Sequence, residues 1–391
     1  MKLHIAIPVM QELELLPATL DCIAGQINAE PFHVYICVNQ PERLWNESEK
    51  RHICRENQAV LQLLSREDRF SLMVFDYASR GKGWKDKKSG VGHARKVLFD
   101  YITSHSEDDD IVVSLDADTT FGANYFSAIR KLFNRFPKSV GLMVPYYHCL
   151  TGDEVIDRAI LRYEIYMRCY ALNLFYIGSP YYFTALGSAM VIPVKSLKAV
   201  GGIAPYSSGE DFYLAQKLRK YGSLLLWLPE TVFPSARLSD RVTFGTGPAL
   251  IKGVKNNWDA YPIYPPEAFE RLRKMFLLFP QLFENDCVTP VDDFLYSIFS
   301  NQNVWQPLRN NFKTEPQFIR ACHQKIDGLR TLQCLRFYEK ENDDSKNLIK
   351  NIRFHCGIEL AEFQFENSSV ETLNIIRNRL FEKEQGIRRI R

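Results

Sequence analysis

Five short runs rich in apolar and β-branched residues, at 3–9, 34–38, 71–77, 111–115 and 141–145, alternate with helical patterns at 15–23, 58–64, 92–102 and 125–136. Strands separated by helices pair through crossovers, and crossovers make a mostly parallel sheet covered on both faces. The pattern therefore predicts an α/β fold. In such sheets ligands gather beyond the carboxyl ends of the strands, so residues just after each run are the first candidates for chemistry.

Further along, Ile156, Ile160, Tyr163, Met167, Tyr170 and Leu174 recur three or four apart and predict an amphipathic helix over 153–175. A strand pattern follows at 185–194, then a short helix, a helix opening near Ser208, and a strand at 224–228. Beyond the Pro-rich stretch 261–266 the patterns are helical, including 294–299, 318–330 and 370–381. This reading gives a sheet domain over 1–250 and a helical C-terminal region over 251–391. With 391 residues, 46% of them hydrophobic, the chain can bury both cores without staples.

Lys and Arg total 49 against 46 Asp and Glu, a dispersed net charge of +3 that argues against a nucleic-acid partner. The nine cysteines form neither a C-x-x-C pair nor an even set, so they read as reduced thiols in a cytoplasmic protein. Gln11, Glu12 and Glu14 interrupt the first apolar stretch, which is a poor signal peptide and a good core strand. No apolar run is long enough to span a bilayer, leaving peripheral contact as the only membrane role.

Three motifs carry candidate chemistry. The run 111–115 leads into Asp116-Ala117-Asp118. On an extended chain, side chains two apart face the same way, so both carboxylates can address one point beyond the strand. Such oxygens suit Mg2+ or Mn2+, which in phosphate sites takes one or two carboxylates and fills the rest from the substrate. The alternative is a solvated acidic turn, the reading adopted for Asp108, Asp109 and Asp110 just upstream.

The second motif, GKGWKDKKSGVGHAR over 81–95, places Lys82, Lys85, Lys87, Lys88 and Arg95 around a helix start near Gly92. Glycine backbone and free helix N–H groups can receive a phosphate, although a basic surface loop has the same composition. His93 reads as a capping or packing residue. The third, SSGED over 207–211, opens a helix. A Ser cap with acids in the first turn stabilises any helix, whereas adjacent, partly buried carboxylates also raise one another's proton affinity and can supply a general base.

In order and spacing these motifs resemble the family-2 glycosyltransferases of the GT-A, Rossmann-like fold over about the first 245 residues. Ile7-Pro8-Val9-Met10-Gln11-Glu12 resembles the family's first strand and turn, Gly92-His93-Ala94-Arg95 its Gly-x-Ala-Arg helix start, Asp116-Ala117-Asp118 its D-x-D, and Gly209-Glu210-Asp211 its Glu-Asp helix. The resemblance implies inverting transfer from a nucleotide-sugar donor, with Asp211 as base, Glu210 orienting the acceptor, Asp118 on a Mg or Mn cation, Asp116 on that cation or the ribose, Arg95 near the donor, and Pro8, Glu12 and Asn39 lining the nucleoside pocket. The acceptor, whether glycan, lipid-linked or a small molecule, is left open.

Two departures stand out. Val38-Asn39-Gln40 lacks the acids that commonly read the base, and the region 234–248 lacks the His that some members give the metal. Arg237, Asp240 and Arg241 in that region read either as diphosphate or acceptor contacts or as a structural ion-pair cluster. Two other function classes fit parts of the pattern. A nucleotidyltransferase also pairs acids with a basic loop, although here that loop follows the third strand. A non-catalytic scaffold would use the aromatic C-terminal helices.

Overall fold

The structure, a computed structural model, describes residues 1–27, 30–85, 90–206, 209–241, 245–299 and 303–389. The chain divides into two compact units: Met1–Ile160 with Ala185–Lys255 and Arg388–Arg391, and Leu161–Thr184 with Asn256–Ile387.

The first unit runs β1 (Leu3–Val9), α1 (Leu16–Ala24), β2 (Phe32–Asn39), α2 (Arg51–Leu64), β3 (Leu72–Tyr77), α3 (Val91–His105), β4 (Ile111–Ser114), β5 (Thr119–Phe121), α4 (Tyr125–Arg135) and β6 (Gly141–Met143). The helix α5 (Glu154–Tyr176) begins in this unit and ends in the second; β7 (Met190–Pro193), α6 (Val194–Ala199), α7 (Glu210–Tyr221), β8 (Leu224–Leu225), β9 (Val232–Pro234) and α8 (Thr246–Val254) complete it. Seven strands form one sheet in the order β3-β2-β1-β4-β7-β6-β8. It is mostly parallel, as the alternating pattern predicts, but β7 is antiparallel to both β4 and β6.

All seven residues of β1 are buried, which explains why it reads as a continuous apolar run with no alternation. Its Pro8 costs the ladder nothing. The N–H of Leu115 bonds Ala6 O at 3.1 Å, so even-numbered residues of β1 face β4, and β4 pairs only as far as Ala6. The donor that proline lacks falls beyond the paired segment.

The strand pattern 185–194 is only half a strand. Gly187–Ala189 forms a 3-10 turn, and extended backbone begins at Met190. The acidic run before β4 also departs from expectation. Asp108 and Asp109 are exposed and pair with Lys198 and Lys195, but Asp110 is buried, accepting from the Lys2 N–H at 2.7 Å and lying 3.3 Å from His4 Nε2. A carboxylate with that many partners is fixing the start of β1 and is not a solvated turn.

The second unit is helical, with α9 (Glu270–Leu277), α10 (Phe279–Glu284), α11 (Asp292–Phe299), α12 (Gln306–Asn311), α13 (Glu315–Lys325), α14 (Gly328–Tyr338), α15 (Asp344–Cys356) and most of α16 (Val370–Arg389). The expected helix 318–330 is two helices. Asp327 caps the second by accepting from the Arg330 N–H at 3.1 Å, a local bond that competes with helix continuation. Leu161, Ile165, Cys169 and Leu172 of α5 pack with Leu348, Ile352 and Leu380. Beside them Arg168 joins Glu384 at 2.6 Å and Glu164 at 3.2 Å, and Arg377 joins Glu164 at 3.3 Å, all four groups essentially without exposure.

Candidate active site

The D-x-D segment does not continue the strand. β4 stops at Ser114, and the Thr119 N–H bonds Asp116 O at 3.2 Å, closing a turn over Ala117 and Asp118. Thr19 Oγ1 of α1 sits 2.9 Å from Ala117 O and 3.1 Å from Thr119 O and pins that turn. The carboxylates are therefore not parallel neighbours on extended chain, and each meets its own arginine.

Asp116 Oδ1 accepts from Arg95 Nη2 at 2.6 Å, while Arg95 Nη1 donates to Glu210 Oε1. Arg95 is 2% exposed, so this guanidinium lies beneath the two acids with its forks committed to them. Gly187 makes room for it, and Gly92 makes room for the backbone before α7. A Cβ on Gly187 would come within 2.4 Å of Arg95 Nη2, and one on Gly92, a turn earlier in α3, would meet Tyr206 O at 1.9 Å. The glycine of the Gly-x-Ala-Arg start thus admits the backbone that leads toward α7.

That helix opens at Glu210 behind Gly209, whose φ of 77° supplies the left-handed entry. The expected serine cap is absent from the N-cap position, which Gly209 holds; Ser207 and Ser208 lie outside the described residues. Glu210 is buried, and the half-buried Asp211 accepts from its neighbour's Phe212 N–H at 2.7 Å.

Asp118 is served by a different connection. β5 pairs with β9 in a small antiparallel sheet, Thr119 opposite Pro234, and this delivers the following segment to the end of β1. There Arg237 Nε and Nη2 lie 3.1 and 3.0 Å from Asp118 Oδ2, and Nη2 also donates to Glu12 Oε1. Arg241 Nη1 reaches the same Glu12 oxygen at 2.6 Å and donates to Met10 O. Glu12 is 6% exposed, and its Oε2 is buried with no hydrogen-bond partner among the described residues. Asp240 is exposed and stands outside this cluster.

Burial drives Asp118 up to about 7, with Glu12 and Asp116 adding to the rise and Arg237 and Arg241 opposing it. Burial does the same to Asp211, again up to about 7, with Glu210 and Asp116 adding and Arg95 opposing. Asp116 thus acts on both raised carboxyls, and the acids after β4 and those opening α7 share one electrostatic neighbourhood. Arg95 is itself held more firmly protonated by Asp116, Glu210 and Asp211, against its desolvation.

The remaining predicted residues surround this core. Pro8 is buried near the end of β1. Asn39, 2% exposed, donates to Val9 O at 2.9 Å and accepts from Trp84 Nε1 at 3.2 Å, so both ends of its amide are engaged. Trp84 in turn stacks on Tyr77 with ring centroids 4.2 Å apart. Sequence reading passed over this stack, as well as Thr19 and Gly187, since each acts through contacts remote in the chain. Gln11, at φ 57°, is held by its N–H donating to Asn57 Oδ1 at 2.8 Å.

The basic loop is strapped at its start. The Glu42 carboxylate accepts from the Gly81 and Gly83 N–H groups, both at 2.8 Å, and Lys82 pairs with Asp76 at 2.9 Å. Those amides face a carboxylate and offer nothing to a phosphate. Lys85 is exposed, while Lys87 and Lys88 lie outside the described residues.

Among the described residues no group of three or more His, Cys, Asp or Glu side chains converges to hold a metal unaided. Asp116 and Asp118 fit the lesser requirement of a Mg or Mn ion that takes its other ligands from phosphate oxygens. Asp118 in particular is a desolvated carboxyl among other acids, the setting in which a cation is most stabilising.

Residues 111–246, which contain the D-x-D turn, the Glu-Asp helix start and Arg237, match glycosyl transferase family group 2. The matched segment reads as part of a family 2 glycosyltransferase domain. The mostly parallel sheet with flanking helices, and the helical C-terminal region, agree with the α/β architecture expected from the sequence. No curated protein matches the chain. Among solved structures, it is similar to S. aureus TarS 1-349 in complex with UDP-GlcNAc, at 12% identity and a TM-score of 0.43 over 100% of this chain and 91% of that one. It is also similar to the mannosyltransferase PcManGT from Pyrobaculum calidifontis in complex with GDP-Man and Mn2+, at 13% identity and a TM-score of 0.36 over 99% and 86%. Among the described residues no helix is long and apolar enough to cross a membrane.

Proposed function

We propose that this glycosyltransferase moves a sugar from a nucleotide-diphosphate donor to an acceptor hydroxyl with inversion at the anomeric carbon. The observation that carries the reading is Arg95, whose two forks tie the acid after β4 to the acid opening α7. In this scheme the Asp211 carboxylate takes the acceptor's hydroxyl proton. The freed oxygen bonds the anomeric carbon as the bond to the diphosphate breaks, and the nucleoside diphosphate leaves from the opposite face. A half-buried carboxyl raised to about 7 suits a base working near neutral pH. Glu210, fixed by Arg95, would orient the acceptor.

Asp118 and Asp116 would hold Mg2+ or Mn2+, whose chemistry here is to neutralise charge on the departing diphosphate. Pro8, Glu12 and Asn39 would line the nucleoside, Glu12 through its Oε2, which has no hydrogen-bond partner among the described residues, and Asn39 by fixing Trp84. Arg95 acts on the donor through Asp116. Nine unpaired thiols suit a reducing cytoplasm, where nucleotide sugars are available. The acceptor is defined only as a hydroxyl of a glycan, a lipid-linked sugar or a small molecule.

The test is a screen of nucleotide sugars for release of nucleoside diphosphate with Mn2+ and with chelator. Release from one donor class, dependent on the cation, is the expected result. Release of pyrophosphate instead would mean nucleotidyl transfer, and no response to any donor would mean a scaffold.

A further inference from the structure

Asp118 does not wait as a free carboxylate. One of its oxygens, Oδ2, accepts a hydrogen bond from Arg237 Nε and lies 3.0 Å from Nη2 of the same guanidinium, and that Nη2 also donates to Glu12. Glu12 also holds Arg241, so one buried carboxylate restrains two cationic side chains at the mouth of the D-x-D turn. A divalent cation held by Asp118 would need the same carboxylate oxygens. At that place it would lie beside a full positive charge and compete with it for the same electron pairs. Arg237 is only 27% exposed at its side chain and needs an anion wherever it goes, because a partly desolvated guanidinium is costly unpaired. A nucleoside diphosphate supplies that anion, in the planar two-oxygen form a guanidinium fork prefers.

We propose that Arg237, held by Glu12, is a positioning residue that competes with the divalent cation for Asp118 and yields it to the donor's diphosphate, so that cation and nucleotide bind as a unit. The inference rests on the transferase reading of this site and adds an order of assembly to it. It gives Glu12 a second purpose, since a Glu12 carboxylate is what keeps Arg237 beside Asp118 when no diphosphate draws it off. It also predicts that a cation alone binds poorly, even though two acids stand ready.

The experiment is Mn2+ binding followed by electron paramagnetic resonance, with no turnover involved, on the full chain alone and with each nucleoside diphosphate in turn. Wild type should bind Mn2+ weakly alone and at least tenfold more tightly with the matching nucleotide. Arg237→Gln should bind Mn2+ alone about tenfold more tightly than wild type and lose most of the nucleotide's effect. Arg237→Lys, which keeps the charge but not the fork, should bind Mn2+ alone as weakly as wild type and retain only part of the nucleotide's effect. Asp118→Asn should lose Mn2+ in both states. If Arg237→Gln, folded by circular dichroism, binds Mn2+ no more tightly than wild type, or if Asp118→Asn keeps its affinity, the competition is wrong. The transferase reading would survive either outcome as long as wild type still releases nucleoside diphosphate in a Mn2+-dependent way. Failure of that release as well would remove both.

Discussion

Gly187 lies against the guanidinium of Arg95, with no room between them for even a methyl group: an added Cβ would fall 2.4 to 2.7 Å from its Nη2, Nη1 and Cζ atoms. The arginine in turn links Asp116 and Glu210. A residue in the turn before β7 therefore decides where two acids from other parts of the chain stand.

Gly187→Ala should consequently push Arg95 off one of its carboxylates. Overpacking of this kind costs about 1–3 kcal/mol, which a thermal melt will read. The sharper readout is kinetic: kcat should fall more than donor KM rises, because the acids lose their alignment while the nucleoside contacts persist. A melt shifted with kcat unchanged would separate Arg95 from the chemistry.

Asp211→Asn keeps the size of the side chain and removes its ability to take a proton. If Asp211 is the base, kcat should drop by about 10²–10⁴, and donor affinity, measured by titration with the unreactive nucleoside diphosphate, should change little. Lost donor affinity with normal turnover at saturation would assign Asp211 to binding instead.

The pH dependence follows from the two raised carboxyls. Asp118 and Asp211 go from an ordinary 3.8 to about 7 on folding, so between those values the folded state holds protons that the unfolded chain has released. Stability must then decline as pH rises through that window and level off above about 7. Melting temperatures should fall from pH 5 to 8, and Asp211→Asn should flatten part of that slope. kcat/KM should climb over the same range as the base ionises, with apparent values belonging to the coupled set of acids. A rising limb near pH 4 would contradict the burial of Asp211.

In the helical unit, Glu384 is 1% exposed at its side chain and pairs with Arg168 at 2.6 Å, which is itself fully buried. Removing one member of a buried pair strands the other charge and costs about 3–5 kcal/mol. Glu384→Gln should lower the melting temperature accordingly, and Arg168→Met with Glu384→Leu together should recover much of the loss. Equal loss in the single and double variants would show that packing, and not charge, is what matters there.

Local physics was enough to read the sheet. The run Leu3–Val9 coincides with β1 because a strand buried on both faces has only one composition available to it, and the helical patterns between the runs force parallel crossovers. The acids of the site were equally visible, since Asp116, Asp118, Glu210 and Asp211 follow a strand or open a helix. Their geometry was not. The sequence suggested two parallel carboxylates on extended backbone; the Thr119 N–H closes a turn that sends Asp116 to Arg95 and Asp118 to Arg237.

The chain's own order thus determined the class of fold, the carboxylates and the basic residues near them. Tertiary structure alone decided which arginine meets which acid. Arg237 comes to Asp118 because β9 pairs with β5, and Arg95 reaches Glu210 because Gly187 leaves space for its guanidinium and Gly92 admits the Tyr206 backbone. The reason is that charge pairing and burial depend on distances between segments some hundred residues apart. Periodicity along a chain encodes the faces of its elements, and carries no record of which charges those faces will bring together.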